Sequence, residues 1–221
     1  MTVDYVIKLG GSLLNDIAAA RPFVTKLANT RARCVFTVGS GPLGEFFIAL
    51  GLERQTNLPF DSSVECWAAL QSINARLLCA MSDRLVLAPD YASASRGPAG
   101  RHAIIDAFPL AARFARLPHQ TADVRAAQIA HDLDCDTLVV FTDVNGVYRT
   151  DPKIDAAAVP LRSLPASHPL LRERTSVDEG LAEMLTAYKI TAYVAGAPHF
   201  TQSPLGLGDY LARCATAIYP E

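Results

Sequence analysis

The run Leu138-Val139-Val140-Phe141-Thr142-Asp143-Val144-Asn145-Gly146-Val147-Tyr148-Arg149-Thr150-Asp151-Pro152-Lys153 decides how the rest of the chain is read. Its apolar start, Leu138 to Phe141, has the make-up of a strand buried on both faces, and it stops at a polar turn whose Asn145-Gly146 pair permits positive φ. In an open α/β sheet the loop just past a strand's carboxyl end is where ligands sit. Asp143 can accept hydrogen bonds from a sugar hydroxyl or an amide there, Tyr148 can wall an aromatic base, and Lys153 offers a point positive charge to phosphate. A plain strand and hairpin turn would account for Asn-Gly alone, but not for the whole string.

Upstream, Val3 to Leu9 is β-rich and runs into Lys8-Leu9-Gly10-Gly11-Ser12, after which a helix pattern with Phe23 and Leu27 follows Asn15 or Asp16 as cap. Strand, glycine turn and helix together present backbone N–H groups and a helix dipole to phosphate. Lys8 would project toward the same anion. The spacing is not that of a Walker A loop. A second strand, Cys34 to Val38, also ends in a glycine turn, Gly39-Ser40-Gly41-Pro42, and Pro42 suits the first turn of the apolar helix expected over Leu43 to Leu50.

Asp61 to Met81 reads as a long helix with Val64, Trp67, Leu70, Ile73 and Leu77 close to one face, which places Trp67 in the core. A strand, Leu85 to Ala88, precedes a small-residue stretch over 90–103 that fits two readings. One is a surface loop; the other is a lid, with Arg96 or Arg101 closing on an acceptor phosphate. Ile104 to Phe114 carries a short amphipathic segment, and Leu117-Pro118-His119 punctuates the chain before Thr121-Ala122-Asp123. There a helix opens with an aspartate in its first turn, a placement the dipole favours. Further on, Ser176 and Glu179 have capping-box spacing, a helix is expected from about Ser203, and Thr216 to Tyr219 reads as a last strand.

Composition narrows the class. At 221 residues, half of them hydrophobic, the chain suits a single α/β core. With a net charge of −2 and no basic block it lacks the footprint of a nucleic-acid binder. Cys34, Cys66, Cys79, Cys135 and Cys214 lie far apart, which fits reduced thiols better than zinc or disulfides. No apolar run has membrane-spanning length and the first residues lack a basic leader, so the expected compartment is the cytoplasm.

Three of these strings resemble signatures of the amino acid kinase superfamily, which includes acetylglutamate kinase, aspartokinase, uridylate kinase and isopentenyl phosphate kinase. They are Lys8 to Ser12, the Thr121 to Ala130 block, and Thr142 to Tyr148 with Asp151-Pro152-Lys153. The resemblance implies a three-layer αβα sandwich with a mainly parallel central sheet, formed as one domain over 1–221. Residues to about 118 would serve the acceptor, and those from about 119 the nucleotide. It also implies ATP and Mg²⁺ as cofactors, the metal being held by the ATP phosphates and not by protein side chains, a small anionic substrate, and a homo-oligomer.

By the same resemblance Lys8 would stabilise the phosphoryl group in flight and Asp123 would orient Lys8, with Gly10, Gly11 and Ser12 binding the phosphate. Gly39, Ser40, Gly41, Arg96, Arg101 and His119 would face the acceptor. Thr142, Asp143, Gly146, Val147, Tyr148, Asp151, Pro152 and Lys153 would hold nucleotide. One signature departs from the pattern: Met184 stands where a second lysine is expected, leaving Lys153 or an arginine to replace it. The details around Leu117-Pro118-His119 and Val177 to Leu185 look most like the small kinases of methanofuran biosynthesis, which make a diphosphate from an aminomethylfuran-methyl phosphate. In that case Asp90 or Asp106 would face the acceptor's ammonium.

Overall fold

The computed structural model describes residues 2–97, 100–172 and 176–221. β1 (Tyr5–Leu9) passes through a 3-10 turn at Gly11–Asn15 into α1 (Ile17–Ala28). Asp16 caps α1, its side chain accepting from Ala19 N at 3.0 Å, and so supplies one of the partners a helix start lacks. β2 (Cys34–Val38), α2 (Gly41–Leu50), the one-turn α3 (Leu52–Gln55) and the long α4 (Phe60–Met81) follow. Then come β3 (Leu85–Ala88), α5 (Tyr91–Arg96), β4 (His102–Ile105), α6 (Ala111–Phe114) and α7 (Ala122–Asp132). The remaining elements are β5 (Thr137–Thr142), β6 (Ser163–Pro165), α8 (Leu181–Tyr188), β7 (Thr191–Gly196), α9 (Ala197–Gln202), α10 (Leu207–Cys214) and β8 (Thr216–Tyr219).

Among the described residues eight strands form one sheet in the order β3-β4-β2-β1-β5-β7-β8-β6. β7 and β8 run antiparallel, and the other neighbours are parallel. Alternation along the central strands divides the core between two faces. Val6, Leu138 and Val140 meet α5, α6, α7 and α8 on one side, while Ile7, Leu9, Val139 and Phe141 meet α1, α9 and α10 on the other. That is the expected α/β sandwich, and Lys8, one residue beyond Ile7, points to the α7 side.

Register sets where the site forms. Leu9 is level with Val38 of β2 and with Phe141 of β5, and Thr142 is level with Gly196 of β7. The four central strands therefore end together, and the turns after them share one edge, where β1 is flanked by strands reached through opposite crossovers.

Several sequence expectations shift. The buried face of α4 is Val64, Ala68, Gln71, Ala75 and Leu78, whereas Ile73 and Leu77 are 47% and 44% exposed. The stripe read from the sequence lies one residue off, because the small residues Ala68 and Ala75 allow close approach to the sheet and leave the larger side chains outside. Ile104 and Ile105 belong to β4, so the amphipathic segment expected over Ile104 to Phe114 is a strand end followed by the short α6. The helix expected from about Ser203 begins at Leu207 as α10, and a separate α9, with Pro198 in its first turn, ends before it at Gln202. β8 lies inside the sheet because β6, three residues that the sequence did not reveal, pairs along its far side. All five cysteines are free thiols. No helix among the described residues is long and apolar enough to cross a membrane.

Candidate active site

Lys8 is 9% exposed, and its Nζ lies 2.7 Å from Asp123 Oδ1, with Asp123 1% exposed in the first turn of α7. Burial alone would push the lysine down. Asp123 and Asp178, together with the hydrogen bond to Asp123, outweigh that and carry the ammonium above the usual lysine range.

The two glycine turns pack backbone to backbone. A Cβ on Gly11 would collide with the N and Cα of Gly41, and one on Gly41, whose φ is +52°, would lie 2.6 Å from Gly11 C. Only glycine fits this approach. Gly10 N donates to Phe141 O at 2.7 Å, and Gly39 N donates to Leu9 O at 3.0 Å, so both turns are tied to strand ends. The Gly10 amide is thereby already used, and Gly11 and Ser12 stand at the open start of a helical turn, where N–H groups lack internal acceptors. Asn74, a buried residue of α4 that the sequence reading missed, donates to both Gly39 O and Ser40 O at 2.8 and 2.9 Å. A polar residue on a buried helical face was the available signal.

A cavity of about 290 Å³ opens beyond β5, lined by Thr142, Asp143, Val144, Tyr148, Arg149, Asp151, Pro152, Lys153, Leu170 and Ser176. Val144, Arg149, Leu170 and Ser176 were not foreseen. Lys153 Nζ lies 2.7 Å from Asp143 Oδ2, and Thr142 Oγ1 donates to Asp143 Oδ1 at 3.0 Å. Although partial burial raises the Asp143 carboxyl, these two partners hold it below its usual range, and Asp143 in turn raises Lys153.

Gly146 and Val147 do not line this cavity. Val147 is fully buried, its N–H donating to Thr216 Oγ1 at 3.0 Å, and Gly146, at φ +115°, presents its carbonyl to Ser176 Oγ at 2.8 Å. Asn145 Oδ1 accepts from Gly196 N and from Tyr210 Oη, fixing the turn to the end of β7. These residues hold the loop in shape through their hydrogen bonds. Thr216 also donates to Leu161 O, so Thr216→Val leaves a buried donor and a carbonyl unmatched at constant shape. Thermal melting is expected to show a loss of about 1–3 kcal/mol, with a raised KM for nucleotide; an unchanged melt would show the loop is held otherwise.

Several predicted acceptor residues lie elsewhere. Arg101 donates to Asp83 O and Leu85 O, and it precedes β4, so it sits at the amino-terminal edge of the sheet, opposite Lys8. Arg96 ends α5, which starts beyond the carboxyl end of β3 and returns toward that same far edge. Because β3 and β4 are parallel, the 90–103 segment must cross the full depth of the sheet. Its described part includes the helix α5 over Tyr91–Arg96, with Ala94 buried, and Pro98 and Ala99 lie outside the described residues. His119 pairs with Glu183 at 3.2 Å and its ring covers Gly180, leaving no room there for a Cβ. Asp90 caps α5 through Ser93 N, and Asp106 is engaged by Ser72 and Arg76. The expected capping box is absent, since α8 begins after Gly180 at φ +86° and Ser176 turns to the carbonyl of Gly146. Met184 is buried at 4% against the α7 side of the core.

The model of the amino acid kinase family matches residues 5–196, from β1 through β7. The chain belongs to the amino acid kinase family. Among relatives in that family, the uridylate kinase of Methanoculleus marisnigri is 31% identical over 70% of this chain and 65% of its own length. That of Methanoregula boonei is 29% identical over 69% and 65%. The match thus spans just under two thirds of each of these curated relatives. Among solved structures, uridylate kinase from Archaeoglobus fulgidus superposes with a TM-score of 0.72 at 23% identity, over 97% of this chain and 99% of that one. Aspartate kinase from Synechocystis gives 0.71 at 14% identity, over 98% of this chain and 40% of its own. These likenesses establish the fold.

Proposed function

We propose that this amino acid kinase family member transfers the terminal phosphoryl group of ATP to a small anionic acceptor, a phosphate monoester that becomes a diphosphate. The observation that carries the reading is the buried Lys8–Asp123 pair at 2.7 Å, set at the end of β1, next to the strand β5 beyond which opens a cavity walled by Tyr148, Asp143 and Lys153. That cavity approaches the lower end of small-molecule sites, about 300 Å³. Its lining, the two cations Arg149 and Lys153, the two carboxylates Asp143 and Asp151, and the Tyr148 ring, suits a nucleoside carrying phosphates.

Bound ATP with Mg²⁺ would supply the transferable group and neutralise part of its charge. Phosphoryl transfer asks the protein mainly for alignment and for positive charge on the equatorial oxygens. Lys8 provides the charge from a dry site where it acts strongly. Asp123 holds Lys8 protonated and aimed, the amides of Gly11 and Ser12 face the same space, and the Gly39-Ser40-Gly41 turn borders it on the acceptor side. An acceptor already ionised needs no general base.

The acceptor we favour is an aminomethylfuran-methyl phosphate, on the sequence resemblance around His119 and Val177. A second reading, UMP, is supported by the names of the curated relatives. Phosphorus NMR of the protein with Mg-ATP and each of these acceptors, alongside isopentenyl phosphate and acetylglutamate, separates them. A new diphosphate signal from the furan compound, lost in Lys8→Met, supports the first; a signal only from UMP supports the second. Nucleotide binding without turnover of any acceptor would overturn the transfer reading. A homo-oligomer is also part of this proposal, favoured by Phe46, Ile48, Phe60, Ile73 and Leu77, all exposed on α2 and α4. Light scattering that gives a monomer mass would remove it.

A further inference from the structure

Asp178, on the segment entering α8, bonds reciprocally with the catalytic aspartate. Its backbone N donates to Asp123 Oδ2 at 2.8 Å, and Asp123 N donates back to Asp178 Oδ2 at 3.3 Å. The two oxygens of Asp123 are thereby divided, one to Lys8 and one to Asp178. Two residues earlier, Ser176 Oγ donates to Gly146 O in the nucleotide loop at 2.8 Å. The short stretch Ser176-Val177-Asp178 therefore spans from the nucleotide loop to the lysine's counter-ion.

We infer that Asp178 is a positioning residue for phosphoryl transfer: it fixes the Asp123 carboxylate that aims Lys8 and joins that pair to the nucleotide loop. The inference rests on the kinase reading above. A purely structural brace would not need a charge. Asparagine would accept the same bond from Asp123 N without setting a second, partly buried carboxylate beside the buried first, an arrangement that is costly unless a cation benefits. Here the cation is Lys8, faced by Asp123 from α7 and by Asp178 from the α8 segment. Asp178 is faced by Asp123 and Lys8, while His119 nearby turns to Glu183.

Burial first, and then the Asp123 charge, raise the Asp178 carboxyl above its usual range. As pH falls, Asp178 takes up its proton before an ordinary carboxylate would, and Lys8 loses one of its two supporting charges. As pH rises, Lys8 keeps its proton beyond the ordinary lysine range.

The test uses the full chain labelled with ¹⁵N-lysine, whose side chains are Lys8, Lys26, Lys153 and Lys189, with the Lys8 signal identified by its loss in Lys8→Met. In Asp178→Asn the Lys8 titration is expected to move to lower pH, while Asp178→Glu restores it toward wild type. With a turned-over acceptor, kcat in Asp178→Asn should fall about 10- to 100-fold, the acid limb of its pH profile should disappear, and the KM for ATP should change little. An unmoved Lys8 titration overturns the inference, even if kcat falls. Should Asp178→Asn fail to fold, Asp178→Glu carries the same comparison, and a Lys8 midpoint unlike wild type together with unchanged kcat would also overturn it. Because the lysine titration is read without turnover, a protein that phosphorylates nothing removes the kinase reading while the effect of Asp178 on Lys8 is still decided.

Discussion

Lys8→Met is expected to lower kcat by about 10³-fold or more, the scale seen when a cation is removed from a transferring phosphoryl group, which is about 4 kcal/mol of transition-state stabilisation. The same change also threatens the fold. Lys8 is the cation 2.7 Å from a carboxylate that is 1% exposed, with Asp178 adding a second negative charge nearby. Removing one partner of a buried pair leaves an uncompensated charge, costing about 3–5 kcal/mol. A loss of activity alone would therefore not separate catalysis from unfolding. The double variant Lys8→Met with Asp123→Asn does separate them, because it removes the stranded charge while keeping the shape and the bond from Asp178 N. Its melting temperature should return most of the way to wild type, and its kcat should not. Recovery of both would mean that Lys8 serves only the fold; recovery of neither would mean that the Asp123 carboxylate is needed for more than its charge.

The family resemblance implied this pair, and each end also carries its own local mark. Lys8 stands at the end of an apolar strand next to two glycines, and Asp123 stands in the first turn of a helix with Thr121 as its cap, the side chain accepting from Val124 N. Each short string constrains its own geometry, so each could be read without knowing what lay across from it. What the sequence hid depends on direction and on register. Arg96 and Arg101 have the right chemistry for phosphate, but which edge of the sheet they reach is set by the parallel pairing of β3 with β4, a long-range fact that no local pattern records. Val147 and Gly146 belong to the string expected to hold nucleotide, yet both anchor the loop, Val147 through Thr216, about seventy residues away in sequence and 3.0 Å away in space, and Gly146 through Ser176. Asp178 was legible only as a helix start, since its partner lies on another element. The buried face of α4 was misplaced by one position because size, not hydrophobicity, decides which side of that helix meets the sheet.

Gly11→Ala is expected to damage stability and catalysis together, for a steric reason that no repacking of side chains can relieve. The new methyl group would overlap Gly41 N and Cα and lie 3.1 Å from Gly39 C, all backbone atoms. Ordinary carbon contacts need about 3.5 Å, so the two glycine turns must part by roughly 1 Å. Neither turn is free to move. The first is tied to β5 by Gly10 N and the second to β1 by Gly39 N, while Asn74 holds the carbonyls of Gly39 and Ser40 from α4. Overpacking of this kind costs about 1–3 kcal/mol, equivalent to a fall in Tm of about 2–12 °C for a chain of this size. A displacement of about 1 Å between the lysine-bearing turn and the acceptor-side turn costs about 10² in rate. Gly41→Ala should be at least as harmful, because it adds the strain of a left-handed φ to the same collision. Gly206→Ala is the control: nothing lies within 4 Å of its added methyl group, and its φ of −69° suits any residue. Its Tm should stay within about 1 kcal/mol of wild type in stability terms, with kcat unchanged. If Gly11→Ala melted and turned over like Gly206→Ala, the close approach of the two turns would not be what sets the phosphoryl site.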